Sequence, residues 1–255
     1  MVLQTKNSPN GITSYVERFE VIQEQNLASG FNFTEARAKE FDYFKKYQHA
    51  VNLNSILEFP ADGLYLNKIF PNATIDKSDL VDAGYAKFPS KLILTDFSLK
   101  NIKLANYDAI FCVTPIHHAS DSQIDLFLSA CHACLKPGGI LIIAEVMQNS
   151  KIANFLDGFV NQYSLAKHAG NYPNRDFVEK MQFTGFVDSR FEIIKLPWVF
   201  NNEKELTDFV SLIFGLKKLK HDFLFNALNE LLGIKKMNHK LHLDWELIYF
   251  EGIKK

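Results

Sequence analysis

Short apolar runs alternate with helical stretches between residues 55 and 146, and this alternation limits the fold more than any other feature. The runs "KLILT", "YDAIFCV" and "GILIIAEV" are apolar at nearly every position, which is typical of strands buried on both faces. Residues 122–135 have helical spacing, with Asp121 or Ser122 available as the cap. Strands are predicted at 55–59, about 72–76, 91–95, 107–113 and 139–146. Because such alternation covers both faces of a parallel sheet with helices, the sequence predicts a doubly wound α/β fold.

The segments on either side of this region are predicted to be mainly helical. The first ~30 residues are polar and interrupted by proline and glycine, so we expect a loose arm with one short helix, followed by a helix over 33–51. After residue 150 the pattern predicts helices at 150–169, 174–186, 202–220 and 222–234, and strands at 190–196 and 243–255. The expected organisation is therefore a helical arm (1–50), a Rossmann-like core (51–149) and a helical cap whose last strands complete the same domain (150–255).

The charge balance argues against a nucleic-acid-binding protein. The 255 residues include 28 basic and 29 acidic side chains, for a formal net charge of −1, whereas proteins that bind nucleic acids through phosphates carry a basic excess. No apolar run approaches the ~20 residues of a membrane span, and the N-terminal residues lack a signal-peptide core. With three cysteines and no export signal, we expect a cytoplasmic protein without integral membrane association. The sequence leaves the oligomeric state open.

Three motifs give the chain a resemblance to a known family. These are "ILEFPADG" after the first strand, "NYDAIFCVTPIHHA" around the fourth, and "CLKPGGILIIAE" leading into the fifth. In them the chain resembles the class I S-adenosylmethionine (SAM)-dependent methyltransferases over residues 50–146. The resemblance implies a seven-stranded methyltransferase sheet, SAM as cofactor, and methyl transfer to oxygen, nitrogen or carbon of a small metabolite or a carrier-bound intermediate.

The first motif departs from the family pattern. The loop is one residue short, and Pro60, Ala61 and Asp62 occupy positions that are normally rich in glycine, so only Gly63 remains. Proline has no N–H to donate, and side chains obstruct the close backbone approach for which such loops use glycine. The alternative is therefore a pseudo-methyltransferase, which keeps the fold as a binding or scaffold subunit or uses the pocket for a different reaction.

The resemblance also assigns residues to the SAM site. An acid ending the second strand would accept the ribose hydroxyls; Asp79, 21 residues after Glu58, is favoured narrowly over Asp76. A polar group and an apolar wall after the third strand would hold adenine. The expected cofactor contacts are Glu58, Phe59, Pro60, Gly63, Asp76 or Asp79, Asp96, Phe97, Thr114 and Pro115.

Polar residues that could act on a substrate follow the fourth strand and lie in the cap. His117 and His118 are candidate general bases, since a histidine pKa near 6.5 suits that role, although either could merely pack at the start of a helix. Adjacent histidines also suggest a metal, but no nearby Cys, Asp or His supplies a third and fourth ligand, so no metal site is predicted. His168, Tyr172 and Arg175 are candidate substrate contacts, or members of an ordinary solvated loop.

Two further patterns favour structural roles. Cys131 and Cys134 in "CHAC" fall inside an apolar helical stretch, so buried packing is favoured over redox chemistry. A group of lysines near the C-terminus is typical of a solvated helix face, with an acidic carrier protein or an anionic membrane surface as the less favoured partner. These lysines are Lys217, Lys218, Lys220, Lys235, Lys236 and Lys240.

Overall fold

A seven-stranded sheet forms the centre of the computed structural model, which describes residues 13–48, 53–61, 65–82, 92–114 and 116–255. The strands of these residues are β1 (Ser55–Phe59), β2 (Thr74–Asp79), β3 (Leu92–Leu94), β4 (Tyr107–Val113), β5 (Leu135–Glu145), β6 (Phe186–Lys195), β7 (Trp198–Phe200), β8 (Ile234–Met237), β9 (Lys240–Leu243) and β10 (Glu246–Lys254). The large sheet has the order β3-β2-β1-β4-β5-β10-β6. Its first five strands are parallel, and β10 runs antiparallel to both neighbours. The predicted doubly wound sheet of seven strands is confirmed.

The final strand lies within the range that the sequence predicted. Residues 243–255 were expected to form the last strand, and β10 spans Glu246–Lys254. It pairs with β5 on one side and with β6 on the other, so β6 is the edge strand. The centre of β10 is buried throughout, which explains why it requires neighbours on both sides. Other strands differ only at their ends, since β2 extends to Asp79 and β5 begins at Leu135.

The helices differ from prediction mainly before the sheet. They are α1 (Tyr15–Asn32), α2 (Ala38–Asp42), α3 (Tyr65–Ile69), α4 (Asp121–Cys134), α5 (Lys151–Phe155), α6 (Asn161–Tyr163), α7 (Phe177–Phe183), α8 (Glu203–Ile213) and α9 (His221–Leu231). The expected short N-terminal helix is 18 residues long, and the expected helix over 33–51 is the short α2 followed by a 3₁₀ turn that ends at Tyr47. Ser120 and Gln123 form a reciprocal capping box that fixes the start of α4. Within the described ranges, every helix is too short or too polar to cross a bilayer.

The two faces of the large sheet bury separate apolar cores. Ile56 and Phe111 belong to one core and Leu57 to the other, as expected for alternating side chains of buried strands. α4 packs its apolar side into the second core, where Cys131 and Cys134 are buried and carry free thiols. The interpretation of "CHAC" as packing residues is therefore confirmed.

A second, three-stranded sheet of order β7-β9-β8 lies between β6 and β10 in the chain. The sequence did not predict it. Lys235, Lys236 and Lys240 belong to β8 and β9, so these lysines are not on a helix face as expected, but on an exposed hairpin. Lys235 pairs there with Asp244 at 2.7 Å.

Candidate active site

A cavity of about 140 Å³ lies at the carboxyl ends of β1, β4 and β5. Pro60 and Ala61 line it after β1, and Thr114 lines it after β4. One side is closed by α1, through Tyr15 and Arg18. Ile213 of α8, Trp198 of the small sheet and Trp245 also line it, so elements from both ends of the chain contribute to the cavity.

The backbone turns sharply where β4 enters the cavity. Thr114 has a φ of +60°, a conformation that is strained for a β-branched residue. Its N–H donates to the carbonyl of Ala144 at 2.9 Å, which keeps the turn against β5. Strain of this kind is retained where surrounding contacts hold it and is concentrated at functional sites. The turn directs the following 3₁₀ segment, Ile116–His118, into the cavity wall.

A buried carboxylate organises this 3₁₀ segment. Glu145 ends β5 and is fully buried. One oxygen accepts the backbone N–H groups of Ile116 and His117 at 2.9 and 3.2 Å. The other accepts the N–H of Val146 at 2.7 Å and lies 2.8 Å from Nδ1 of His117. Because the oxygens of this carboxylate act as acceptors in all of these contacts, Nδ1 of His117 is the donor to Glu145.

His118 and His168 complete a group of three neighbouring imidazoles. Nδ1 of His118 lies 2.8 Å from the carbonyl of Thr13, just before α1. Nδ1 of His168 lies 3.2 Å from a carboxylate oxygen of Asp157, which also accepts the hydroxyl of Tyr172 at 2.7 Å. One ring nitrogen each from His117, His118 and His168 lies within 4.8 Å of the others. We call these three side chains the histidine cluster.

Burial sets the charge of this region. Desolvation lowers the pKa of His118 and of His168 well below the usual value, and the neighbouring imidazole rings and the Arg18 guanidinium lower both further. Arg18 is itself buried, which lowers its pKa to about 10, so it remains cationic at neutral pH. It donates to the carbonyls of Lys167 and Phe214. His118 and His168 are therefore neutral at pH 7, beside one buried cation.

The sequence has no match among protein-family models or curated proteins, whereas solved structures do match its fold. A SAM-dependent methyltransferase from Thermotoga maritima superposes with a TM-score of 0.59 and 14% identity, over 94% of this chain and 98% of its own. A SAM-dependent methyltransferase from Archaeoglobus fulgidus superposes with a TM-score of 0.55 and 13% identity, over 88% of this chain and 97% of its own. A third match is the 1,6-didemethyltoxoflavin-N1-methyltransferase of Burkholderia thailandensis, solved with bound 1,6-didemethyltoxoflavin and S-adenosylhomocysteine. It superposes with a TM-score of 0.52 and 14% identity, over 100% of this chain and 98% of its own. The fold is that of the class I SAM-dependent methyltransferases.

Two acids lie where the methyltransferase resemblance placed the nucleoside contacts. Asp79 is the last residue of β2 and is fully buried; one of its carboxylate oxygens accepts the N–H of Leu80 at 2.7 Å. Asp96 follows β3 and is half exposed, and hydrogen bonds from Ser98, together with the Lys100 ammonium at 2.9 Å, lower its pKa to about 2. Because β2 and β3 are adjacent and parallel, both acids lie on the same edge of the methyltransferase sheet.

The residues of β1 contribute less directly to the cavity than the resemblance implied. The carboxylate of Glu58 forms an ion pair with Lys77 of β2, and both side chains are buried, so its charge is already compensated. The ring of Phe59 packs in the second core, 6.1 Å from Phe97 and 5.1 Å from Phe127. Of the expected contacts in this strand and loop, Pro60 lines the cavity. Its side chain occupies the place where family members have glycine.

Of the expected site residues, Pro60, Thr114, His117, His118 and His168 line the cavity, whereas Glu58, Phe59, Asp79, Asp96, Phe97 and Tyr172 do not. Asp76 and Arg175 also lie away from it. Asp76 is in the middle of β2, where it accepts the hydroxyl of Tyr107 at 2.8 Å, so it does not reach the carboxyl edge. The guanidinium of Arg175 lies 5.7 Å from the ring of Phe191, and it does not line the cavity with His168. Gly63 and Pro115 are outside the described residues.

Several residues of the site were missed from sequence. Glu145 and Asp157 contact the histidine cluster and Arg18 lines the same cavity, yet none was singled out. The glutamate at the end of an apolar strand was the available signal for Glu145, since a buried strand end rarely carries an unpaired charge. The expectation that no third ligand lies near His117 and His118 was wrong, because the segment containing His168 folds back onto them.

Proposed function

We propose that the chain is a SAM-dependent methyltransferase that acts on a small nucleophilic molecule. The observation that carries the proposal is a single cavity shared by Pro60 and Ala61 on one side and the histidine cluster on the other. The family resemblance places the methyl donor over the loop after β1. An acceptor bound beside the histidines would then face the methyl group.

The reaction requires little covalent help from the protein. A lone pair of the acceptor attacks the methyl carbon in line, the carbon–sulfur bond breaks, and its electrons return to sulfur to give neutral S-adenosylhomocysteine. The acceptor also loses a proton, and rate enhancement comes mainly from positioning the two reactants. In this proposal His117 and His118 are the catalytic residues, because they lie at the end of β4 against the acceptor side of the cavity and assist loss of that proton.

The acceptor side of the cavity is aromatic. The indoles of Trp198 and Trp245 are stacked with ring centroids 3.9 Å apart, and Phe214 packs against both. Nε1 of Trp245 is buried and has no hydrogen-bond partner among the residues that the structure describes. We infer an acceptor whose reacting end is a flat, mainly apolar ring with one hydrogen-bond acceptor, flanked by His168 and, beyond it, Tyr172.

A binding or scaffold subunit with this fold is the second candidate. Pro60 favours it, since proline supplies no N–H and fixes the loop where glycine usually allows close approach. The Glu58–Lys77 pair favours it as well, because a carboxylate that is already paired has less capacity for a ligand. Methyl transfer remains the preferred proposal because Asp79 and Asp96 keep the expected positions at the sheet edge.

Calorimetric titration with SAM, S-adenosylhomocysteine and NAD, in buffer containing a chelator, tests the cofactor class. We expect both sulfur ligands to bind and NAD not to bind. A hydrogen bond to a charged group is worth about 1.5–3 kcal/mol, so Asp79→Asn should weaken SAM binding about 10- to 100-fold. Asp222→Asn, on the exposed first turn of α9, is the matched control and should bind like the wild type.

The same titration separates the two candidates. Absence of SAM and S-adenosylhomocysteine binding at millimolar ligand, in protein whose circular dichroism is that of a folded chain, would rule out methyl transfer. Binding that Asp79→Asn leaves unchanged would remove the assignment of the ribose contact but not the cofactor.

A further inference from the structure

The histidine cluster brings together residues that are distant in sequence. The ring centroids of His117 and His118 are 4.1 Å apart, and that of His168 lies 5.3 and 5.0 Å from them. Backbone contacts hold the two segments in place, since the N–H of Asn171 donates to the carbonyl of His117 at 2.6 Å and its side chain donates to Ala119. The three imidazoles are therefore a positioned group rather than a chance contact of mobile side chains.

Each imidazole uses the same ring nitrogen to contact the surrounding protein. Nδ1 of His118 faces a backbone carbonyl, which only accepts, so this nitrogen carries the proton. Nδ1 of His117 faces the Glu145 carboxylate, and Nδ1 of His168 faces Asp157. Three separate acceptors thus place a proton on Nδ1 of each ring, which leaves Nε2 as the nitrogen that can bind a ligand.

This is the arrangement that metal-binding histidines show in proteins. A histidine ligand nearly always donates its other ring N–H to a carboxylate or a backbone carbonyl, which fixes the ring and makes it more basic. Here two rings face carboxylates and one faces a carbonyl. Among the described residues, no N–H or O–H donates to Nε2 of His117, His118 or His168. One ring nitrogen of each histidine lies within 4.8 Å of the others, so the three rings are close enough to share one ion.

We propose that His117, His118 and His168 bind one divalent transition-metal ion, for which Zn²⁺ is the natural probe. Three imidazoles suit zinc and its neighbours in the first row, and a site with three protein ligands leaves a fourth position open. Nitrogens on a tetrahedral zinc with bonds of about 2.0–2.1 Å are about 3.3 Å apart. From separations of up to 4.8 Å, each nitrogen would move inward by less than about 1 Å.

The surrounding charges favour a cation at this place. The carboxylates of Glu145 and Asp157 each contact a histidine of the cluster. Two cationic side chains among the described residues line the cavity: Arg37, which is paired with Glu40, and Arg18, which donates to two backbone carbonyls. Two negative charges against one positive charge leave a net attraction for a divalent ion.

The use of such a metal rests on the proposed function. The open position faces the cavity, so an acceptor carrying a thiol, hydroxyl or ring N–H could coordinate there through its nucleophilic atom. Coordination lowers the pKa of the bound group, and its proton passes to water. With the metal bound, His117 and His118 act as its ligands and no longer accept the acceptor's proton themselves. The coordinated atom then attacks the methyl carbon of SAM while the carbon–sulfur electron pair returns to sulfur. The proposal therefore narrows the acceptor to molecules whose nucleophile is itself a metal ligand.

Metal binding can be tested without turnover. Untagged protein would be stripped with chelator, titrated with Zn²⁺ in the absence of SAM, and titrated with Co²⁺ to follow the visible absorption of a tetrahedral site. We expect one ion per chain. His118→Gln and His168→Gln should each weaken Zn²⁺ binding by at least about 100-fold, and Asp157→Asn, which only loses the charge behind His168, by about 10-fold or more.

His242→Gln on β9 is the matched control, because its side chain does not line the cavity, and it should bind Zn²⁺ like the wild type. A chain that binds no Zn²⁺ or Co²⁺ at millimolar metal, or a folded His118→Gln/His168→Gln double variant that binds as tightly as wild type, would overturn the proposal. SAM is titrated in the presence of chelator, and zinc is titrated in the absence of SAM. The proposed methyltransferase function and the proposed metal site can therefore fail independently of each other.

Discussion

Replacing Glu251 by glutamine removes the charge of one buried carboxylate while keeping its size. Glu251 lies in β10 and is 4% exposed. Tyr43 and Lys46, in the 3₁₀ turn after α2, donate to one of its oxygens, and Arg190 of β6 donates to the other. The carboxylate therefore joins the N-terminal region to the antiparallel side of the sheet. An amide at this position keeps one acceptor oxygen, and its NH2 group faces one cationic donor, either Lys46 beside Tyr43 or Arg190.

The expected cost follows from the pKa of this group. Burial alone would raise it, but hydrogen bonds from Lys46 and Tyr43 outweigh that effect and lower it from 4.5 to about 2. A tenfold change in acidity corresponds to about 1.36 kcal/mol, which gives an upper limit of about 3 kcal/mol. Because the Lys46 and Arg190 side chains are 39% and 65% exposed, solvent screens the interaction, and we expect about 1–2 kcal/mol.

The sign of the pH dependence is fixed by the lowered pKa. The folded state holds its proton less tightly than the unfolded chain, so this contribution is complete above about pH 4.5 and is lost as the pH falls toward 2. Urea unfolding followed by tryptophan fluorescence should show Glu251→Gln to be less stable by about 1–2 kcal/mol at pH 7, with the difference shrinking between pH 4.5 and 2.5. Glu230→Gln, exposed on α9, should show no difference at any pH. A difference for Glu251→Gln that stays constant down to pH 2.5, or is absent at pH 7, would refute the reasoning.

Two further substitutions test the sheet and the docking of α1. Lys77→Met leaves the buried carboxylate of Glu58 without its ion pair and should lower the free energy of unfolding by about 3–5 kcal/mol. The double variant Lys77→Met/Glu58→Leu should regain most of that loss. Urea titrations in which the single and the double variant lose the same stability would contradict this. Gly215→Ala places a Cβ 2.2 Å from Cγ2 of Ile22 at a φ of +56° and should cost about 1–3 kcal/mol. Gly158→Ala meets nothing within 4 Å and should be neutral or stabilising, so equal thermal melting of the two alanine variants would argue against close packing of α1.

The sheet could be predicted because its strands carry their own signal. β1 and β4 match the predicted bounds 55–59 and 107–113, since segments buried on both faces are apolar at nearly every position. The small sheet could not be predicted, because β8 is mostly exposed and contains two lysines, which removes the apolar alternation of a half-buried strand. The length of α1 was missed for a related reason, as its polar residues resemble a loose arm.

The candidate site could be predicted only in part, because its contacts join distant segments. His117 and His118 follow a strand whose position was clear, so their place at the carboxyl edge followed from the topology. The place of His168 depends on how the segment after α6 folds back over the carboxyl edge of the sheet. One contact that holds this segment is the hydrogen bond from the N–H of Gln148, after β5, to the carbonyl of Pro173 at 2.9 Å. Local periodicity carries no information about such a return. Asp157 likewise lies on a π-helical turn that no spacing rule indicates.

The position of α1 links exchange of small molecules to motion of the N-terminus. Thr13 accepts from His118, Arg18 donates to two carbonyls of the opposite wall, and Tyr15 stacks on Phe19 at 5.5 Å along the cavity rim. If a bound compound leaves past this helix, its residence time would follow the opening rate of α1. Amide hydrogen–deuterium exchange in residues 15–22 should then slow when the cavity is occupied. A fusion partner attached ahead of residue 13 should weaken the docking of α1 and so speed the release of product.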